Sequence, residues 1–529
     1  MRSRSTQARR PTAPLALLAT CAAALILAPP AEAGSYVATL CSALSPSAGQ
    51  ASWEPTSHHY AQRSRCGSGE GVQVFHDAES TDLNRYGAWM WRAPAGTVLT
   101  SIQANASLAN QAGHHAELWA SYANGNGGFQ WGSEHADFRI HSIGGELNQF
   151  SVMLRCAAPG TDGRCGRADG DGAHAYLKGI FSRVDDRAAP TLAIGGGSLL
   201  GDPVLRGTRT LAFDATDAGS GVRAVSILAN GAELGHDARN CALAQGYATA
   251  LSPCPSSTSE LATVDTASPA FALGPDNVVD ACAEDLALDG APNRTCEGRR
   301  VWVDNACPGS SSQADGLDAS FAGEHARLAN AAGTRATIRS DRSARIAGRL
   351  TAAGSPVTNA IVCALTRTRL SGQPVTLTAT ARTDAEGSYT VELPAGASRE
   401  VFVHQAWGDR VLTRHGLQLD SEARPTLEVL PRRTARNRKR LRFTGVLPGP
   451  ACANRVVKVQ ALVGKRRWQV FRTDRADGEC RFVARYRLRA THRRRVYRFR
   501  AYVPAQEGYP YLPGHSGVER KRVEPGRRG

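Results

Sequence analysis

Asp276 to Pro308 reads DNVVDACAEDLALDGAPNRTCEGRRVWVDNACP. Two runs of strand-like composition, residues 278–281 and 300–303, flank a loop rich in Gly, Pro, Asn and Asp. Cys282 and Cys296 bracket that loop. The pattern predicts the last hairpin of a β-sandwich, pinned by a disulfide, with the hand-over to a further module at Cys307-Pro308. At 529 residues the chain is too long for one core, so several such modules are expected.

Working outward, the beginning of the chain reads as an export signal. Arg2, Arg4, Arg9 and Arg10 make a basic start. Residues 15–27 are apolar but too few to span a bilayer as a mature helix, and Ala31-Glu32-Ala33 has the small-x-small form of a cleavage site. A secreted or extracellular protein beginning near Gly34, loosely associated with the cell surface at most and with no transmembrane helix in the mature chain, is expected. Of the 13 cysteines, 12 then remain, an even number in an oxidising setting, which favours disulfides over metal sites. Local spacing points to Cys41–Cys66, Cys156–Cys165, Cys241–Cys254, Cys282–Cys296 and Cys452–Cys480. Cys307 and Cys363 are left over, and a bridge from one of them would tie a linker to the following domain.

Taken in order, residues 34–187 hold short alternating runs separated by Gly/Asn turns, the signature of a jelly-roll-like β domain. Residues 188–306 open with Pro190 after the acidic turn Asp185-Asp186. Here the run from Asp214 through Asp217 and Ser220 to Val222 gives a D-x-x-D-x-x-S-G-V pattern between two strands. It resembles the corner of bacterial extracellular Ig-like repeats, and the resemblance implies a sandwich whose Asp214, Asp217 and Ser220 hold a turn. Residues 307–341 are rich in Gly, Ser and Ala and read as a linker. Residues 342–415 carry Thr383-Asp384-Ala385-Glu386-Gly387-Ser388-Tyr389-Thr390. This T-D-x-x-G-x-Y frame is similar to carboxypeptidase regulatory-like domains, which implies a transthyretin-type sandwich with no catalytic role of its own. Its mechanical reading gives Gly387 the tight turn, Asp384 the cap and Tyr389 a core position. Residues 416–529 read as a further Ig-like sandwich. The expected fold class is therefore all-β: tandem β-sandwiches after a signal peptide.

Charge is uneven. The chain carries +16 overall, but from Ser421 onward there are 29 Lys+Arg against 8 Asp+Glu, or +21, which leaves the rest at −5. Residues 481–489 and 497–503 alternate Arg with apolar or aromatic residues. That places Arg481, Arg485, Arg487, Arg489, Arg498 and Arg500 on a solvent face as a candidate surface for a polyanion, such as an anionic cell-wall polymer or an acidic extracellular glycan. No nucleic acid is expected, because the chain is exported and lacks a recognisable nucleic-acid motif.

Catalytic patterns are missing: HExxH, GxSxG, the P-loop and GxGxxG opening a helix. No catalytic residue, cofactor or metal ligand is assigned. His58-His59 and His114-His115 are adjacent pairs, whose members point to opposite strand faces. With His135 they would make a metal site only if the strands converge. Asp169-Gly170-Asp171-Gly172 looks like a calcium-loop fragment without its distal Glu and reads as a turn. Trp119, Tyr122, Phe129 and Trp131 surround a Gly/Asn loop and form a candidate glycan platform, against their reading as core. Glu117 and Glu134 would mark a glycan-active site if they converged across a cleft. The reading that follows is a non-catalytic, extracellular binding or adhesion protein, with a glycan-binding or glycan-active first domain as the alternative.

Overall fold

The computed structural model describes residues 34–525, apart from 78–79, 127, 132–134, 169–171 and 465. The export segment and most of the calcium-loop-like run therefore lie outside the described residues. What is described is all-β, as the alternating runs predicted, with a short 3-10 turn at Cys66–Ser68. No helix among the described residues is long and apolar enough to cross a membrane. Disulfides join Cys41–Cys66, Cys156–Cys165, Cys241–Cys254, Cys282–Cys296, Cys307–Cys363 and Cys452–Cys480.

The chain forms two compact units. The first comprises the described residues up to Ala188 together with Ala244–Leu251 and Leu286–Asn293. The segment 188–306, expected as one sandwich, thus gives two of its loops to the first unit. Ala248 pairs in parallel with Ala38, Ser35 bridges to Asp289, and the Tyr36 hydroxyl donates to the Leu251 carbonyl. Long strands organise this unit. His135–Cys156 pairs with Thr97–Ala109 over its first part, then with both His114–Tyr122 and Tyr86–Arg92. The change of partner follows a register break between Gly144 and Leu147, where Gly145 has a φ of 136° that a side chain would oppose. His174–Asp186 likewise changes partner, from Gly71–His76 to Gly34–Leu40.

The second unit contains three sandwiches in chain order. In the first, Gly274–Asp285 and Arg294–Val303 form the hairpin read from the opening stretch, with Cys282 and Cys296 as register partners. Asp217 accepts from the backbone amides of Gly219 and Gly221 at 3.0 and 2.9 Å, holding the turn, whereas Asp214 accepts from the Ser259 hydroxyl on the neighbouring strand.

The second sandwich begins inside the segment expected as a linker, and that expectation is corrected. Ser320–Ala322 pairs with Ala344–Ala352, and Arg335–Arg339 pairs in parallel with Arg410–Glu422. Phe321, Ala336 and Ile338 are buried in its core, so a few apolar side chains at alternate positions outweigh a linker-like composition. The boundary expected after residue 415 also moves. Leu417 and Leu419 lie in this same core, and the strand ends at Glu422.

Between these two sandwiches Val204, Cys307, Cys363, Leu365 and Phe402 form a shared cluster. Beside it the fully buried Asp304 carboxylate accepts from His404 Nδ1 at 2.7 Å and from the Ala306 and Cys307 amides at 2.9 and 3.0 Å. Burial alone would raise its pKa, but these hydrogen bonds prevail and hold it below the ordinary value.

Candidate functional site: an arginine-lined groove

The third sandwich packs a three-stranded sheet, with Arg440–Val446 central and Arg481–Arg487 at one edge, against a larger sheet that includes Arg495–Val503, Val456–Val463 and Arg467–Arg475. Phe443, Phe482, Phe499, Val457 and Val459 fill the space between them. Alternation does the rest. With Phe482 and Ala484 inward, Arg481 and Arg485 must face water; with Leu441 and Phe443 inward, so must Arg440 and Arg442. Antiparallel register then sets Arg440 opposite Arg487 and Arg442 opposite Arg485.

Five arginines converge on one groove of about 960 Å³: Arg440, Arg472, Arg485, Arg487 and Arg489, with Tyr486 and Tyr497 in its wall. They come from two strands of the small sheet, from the chain that follows, and from the edge strand Arg467–Arg475 of the other sheet. Among the described residues no carboxylate forms an ion pair with any of the five. Like charges set directly opposite on neighbouring strands destabilise a sheet. An anion lying across them would remove that repulsion, and the planar guanidinium fork suits carboxylate, sulfate or phosphate oxygens.

The sequence placed six arginines on one face, and the structure divides them. Arg485, Arg487 and Arg489 line the groove. Arg481 lies at the far end of its strand and pairs with Glu479 at 2.9 Å. Arg498 and Arg500 belong to the other sheet. Arg498 stands opposite Arg520, while Arg500 donates to Gln460 Oε1 at 2.6 Å and lies 4.4 Å over the Trp468 ring. Two strands can each alternate and still face opposite ways, because they belong to opposed sheets. Arg440, Arg472, Tyr486 and Tyr497 were missed. The run Arg440-Leu441-Arg442-Phe443 has the same alternation as residues 481–484 and was the available signal.

In the first unit, backbone register pairs Trp131 with Leu118 and Phe129 with Ala120, while Trp119 pairs with Gln130. Trp119 thus occupies the alternate face from the register positions of Phe129 and Trp131, whose side chains lie outside the described residues, and Tyr122 shares the face of Leu118 and Ala120. Glu117 is buried and bonded to Arg155 at 2.8 Å; Glu134 lies outside the described residues. His114 is buried between the Tyr60 hydroxyl at 3.1 Å and the Gly166 carbonyl at 3.0 Å. His59 and His76 both reach Thr81 Oγ1, at 3.1 and 2.8 Å. Burial pushes His76 down to about 4, with the neighbouring His114 and His59 adding to the shift, and burial lowers His114 also. His115 takes the face opposite His114, and the His135 side chain lies outside the described residues.

No family model matches the chain, and no curated protein matches it. Among solved structures it is similar to one described as the crystal structure of a tetra-tandem repeat in the extending region of a large adhesion protein. The identity is 12%, the match covers 93% of this chain and 99% of that one, and the TM-score is 0.20.

Proposed function

We propose that this chain is a secreted, non-catalytic binding or adhesion protein whose Ig-like and carboxypeptidase regulatory-like sandwiches carry a C-terminal module that grips an anionic polymer. The polymer is of the cell-wall or extracellular acidic-glycan class. The observation that carries the reading is the groove itself. Arginines from both sheets meet without a carboxylate partner among the described residues, and two of them, Arg440 and Arg487, stand in direct cross-strand opposition, with Arg485 set against Arg442 beside them. Disulfides in every sandwich fit an oxidising compartment. The engagement of Glu117 by Arg155 fits a structural carboxylate better than a catalytic one.

The test is retention of the full chain on an immobilised polyuronate or heparin-like polymer across a salt series. Counterions shield exposed charges within roughly 8 Å at physiological ionic strength, so binding should weaken steeply as salt rises. Replacing Arg485, Arg487 and Arg489 with Gln should remove most of the retention at low salt. Changing Arg481 and Arg498, which lie away from the groove, should remove little. Equal losses from the two sets would reduce the groove to general surface charge and sink the proposal.

A further inference from the structure

The first unit carries a second concavity that the groove does not explain. On the outer face of its main sheet the strand Thr97–Ala109 presents Gln103 and Asn105, flanked by Phe181 on one neighbouring strand and Ile140 on the other. Phe181 is the register partner of Gln103, and Ile140 that of Asn105, so all four side chains share one surface. Ile140 is 74% exposed and Phe181 39%, an unusual exposure for apolar groups on a sheet whose other face is closed. The surface extends at both ends. Tyr247 meets Phe181 edge to face at 6.1 Å, and Lys178 Nζ sits 3.9 Å over the Phe138 ring. The hollow between them measures about 510 Å³. Gln103, Asn105 and Lys178 line it together with Phe181 and Ile140, and Lys178, the one cation among its described lining residues, has no carboxylate partner among the described residues.

We infer that this hollow binds one or two rings of an acidic sugar, with a pyranose face on Phe181, which Tyr247 braces edge-on, and its carboxylate on Lys178. Each part of the ligand has a matching group. The C–H face of a pyranose packs on an aromatic ring, whose polarised face and large area favour it. Vicinal hydroxyls need donor and acceptor together, which a primary amide supplies, and neither the Gln103 nor the Asn105 side chain is used within the protein among the described residues. Lys178 supplies a point charge for the carboxylate. Two amides and a cation beside one exposed aromatic ring suit a sugar better than a protein-docking patch, whose centre is depleted of charged groups. The volume lies within the usual range of small-ligand sites, roughly 300–1,000 Å³. Of the aromatic cluster picked from the sequence, the described side chains of Trp119 and Tyr122 do not line this hollow.

The inference is independent of the arginine groove, and the experiment separates them. The full chain is prepared with Arg485, Arg487 and Arg489 changed to Gln, which silences the groove. Trigalacturonate and a neutral trisaccharide are titrated calorimetrically, and hydrogen exchange locates the protection. Trigalacturonate should bind and protect the segments around 103–105, 138–140 and 178–181. Phe181→Ala with Tyr247→Ala should weaken it at least tenfold. Lys178→Gln should weaken the acidic ligand several-fold and leave the neutral one unchanged, with melting altered little because the half-buried Lys178 gives up a single contact over the exposed Phe138 ring and no ion pair among the described residues. Absence of binding in this background overturns the inference whatever the groove does. So does binding indifferent to all three substitutions, or protection confined to other segments. Equal affinity for the neutral sugar, with Lys178→Gln silent, overturns the assignment of an acidic ligand.

Discussion

His76 is the residue whose ionisation bears most directly on the first unit. It is buried against the His114 ring at a centroid distance of 4.0 Å, with His59 and Tyr60 also facing it, and its Nδ1 meets no partner among the described residues. Its folded pKa of about 4 lies below the ordinary 6.5, so between these values the unfolded chain binds a proton that the folded chain refuses. Stability from this site is therefore full above pH 6.5 and declines as pH falls towards 4. The linkage is about 3 kcal/mol at most. Calorimetric melting should show the first unit losing stability over that window, and His76→Gln should flatten the loss; a profile indifferent to pH from 6.5 to 4 would refute it. Single residues were the most legible level. Gly387 takes φ +73°, Asp384 accepts from the Glu386 and Ser388 amides, and Tyr389 is buried with its hydroxyl donating to the Asp318 carbonyl. Those roles follow from local chemistry. The partners of His76 do not, because Thr81 and His114 arrive from other strands.

Strands were legible as strands, but their assignment to sheets was not. Alternation in Arg481–Arg487 and Arg495–Val503 reveals which side chains avoid the core, and says nothing about which sheet each strand joins. That is why three of the six expected arginines lie at a strand end or on the other sheet while unforeseen ones entered the groove. The linker-like stretch failed for a related reason: Gly316–Leu317 and Ser320–Ala322 are too short for a periodic signal. The cross-strand arginine pairs allow a test in which stability and binding move in opposite directions. Arg442→Glu places a carboxylate opposite Arg485, turning repulsion into attraction. The variant should be more stable by roughly 0.5–1 kcal/mol at low salt and should hold anionic polymer less well. If stability and binding fall together, the pair is part of the packing and its charge is incidental.

At the scale of the molecule, the second unit is fastened where its first two sandwiches meet. Cys307–Cys363 closes a sequence separation of 56 residues, and the buried Asp304–His404 pair lies beside it. In the chain-entropy model a loop of that size contributes about 4 kcal/mol. Replacing both cysteines with Ser should lower the melting of these sandwiches by several degrees and leave the transition of the first unit in place; a uniform shift of every transition would contradict this. The interleaving of the first unit bears on synthesis. A chain made amino end first presents residues 34–188 well before Leu286–Asn293, yet those later residues are structural members of the same unit. Its last pieces cannot be laid down until much of the following sandwich has been synthesised. The first unit therefore closes late in synthesis, and an elongation arrest placed between Ala188 and Leu286 would leave behind a first unit open to proteases.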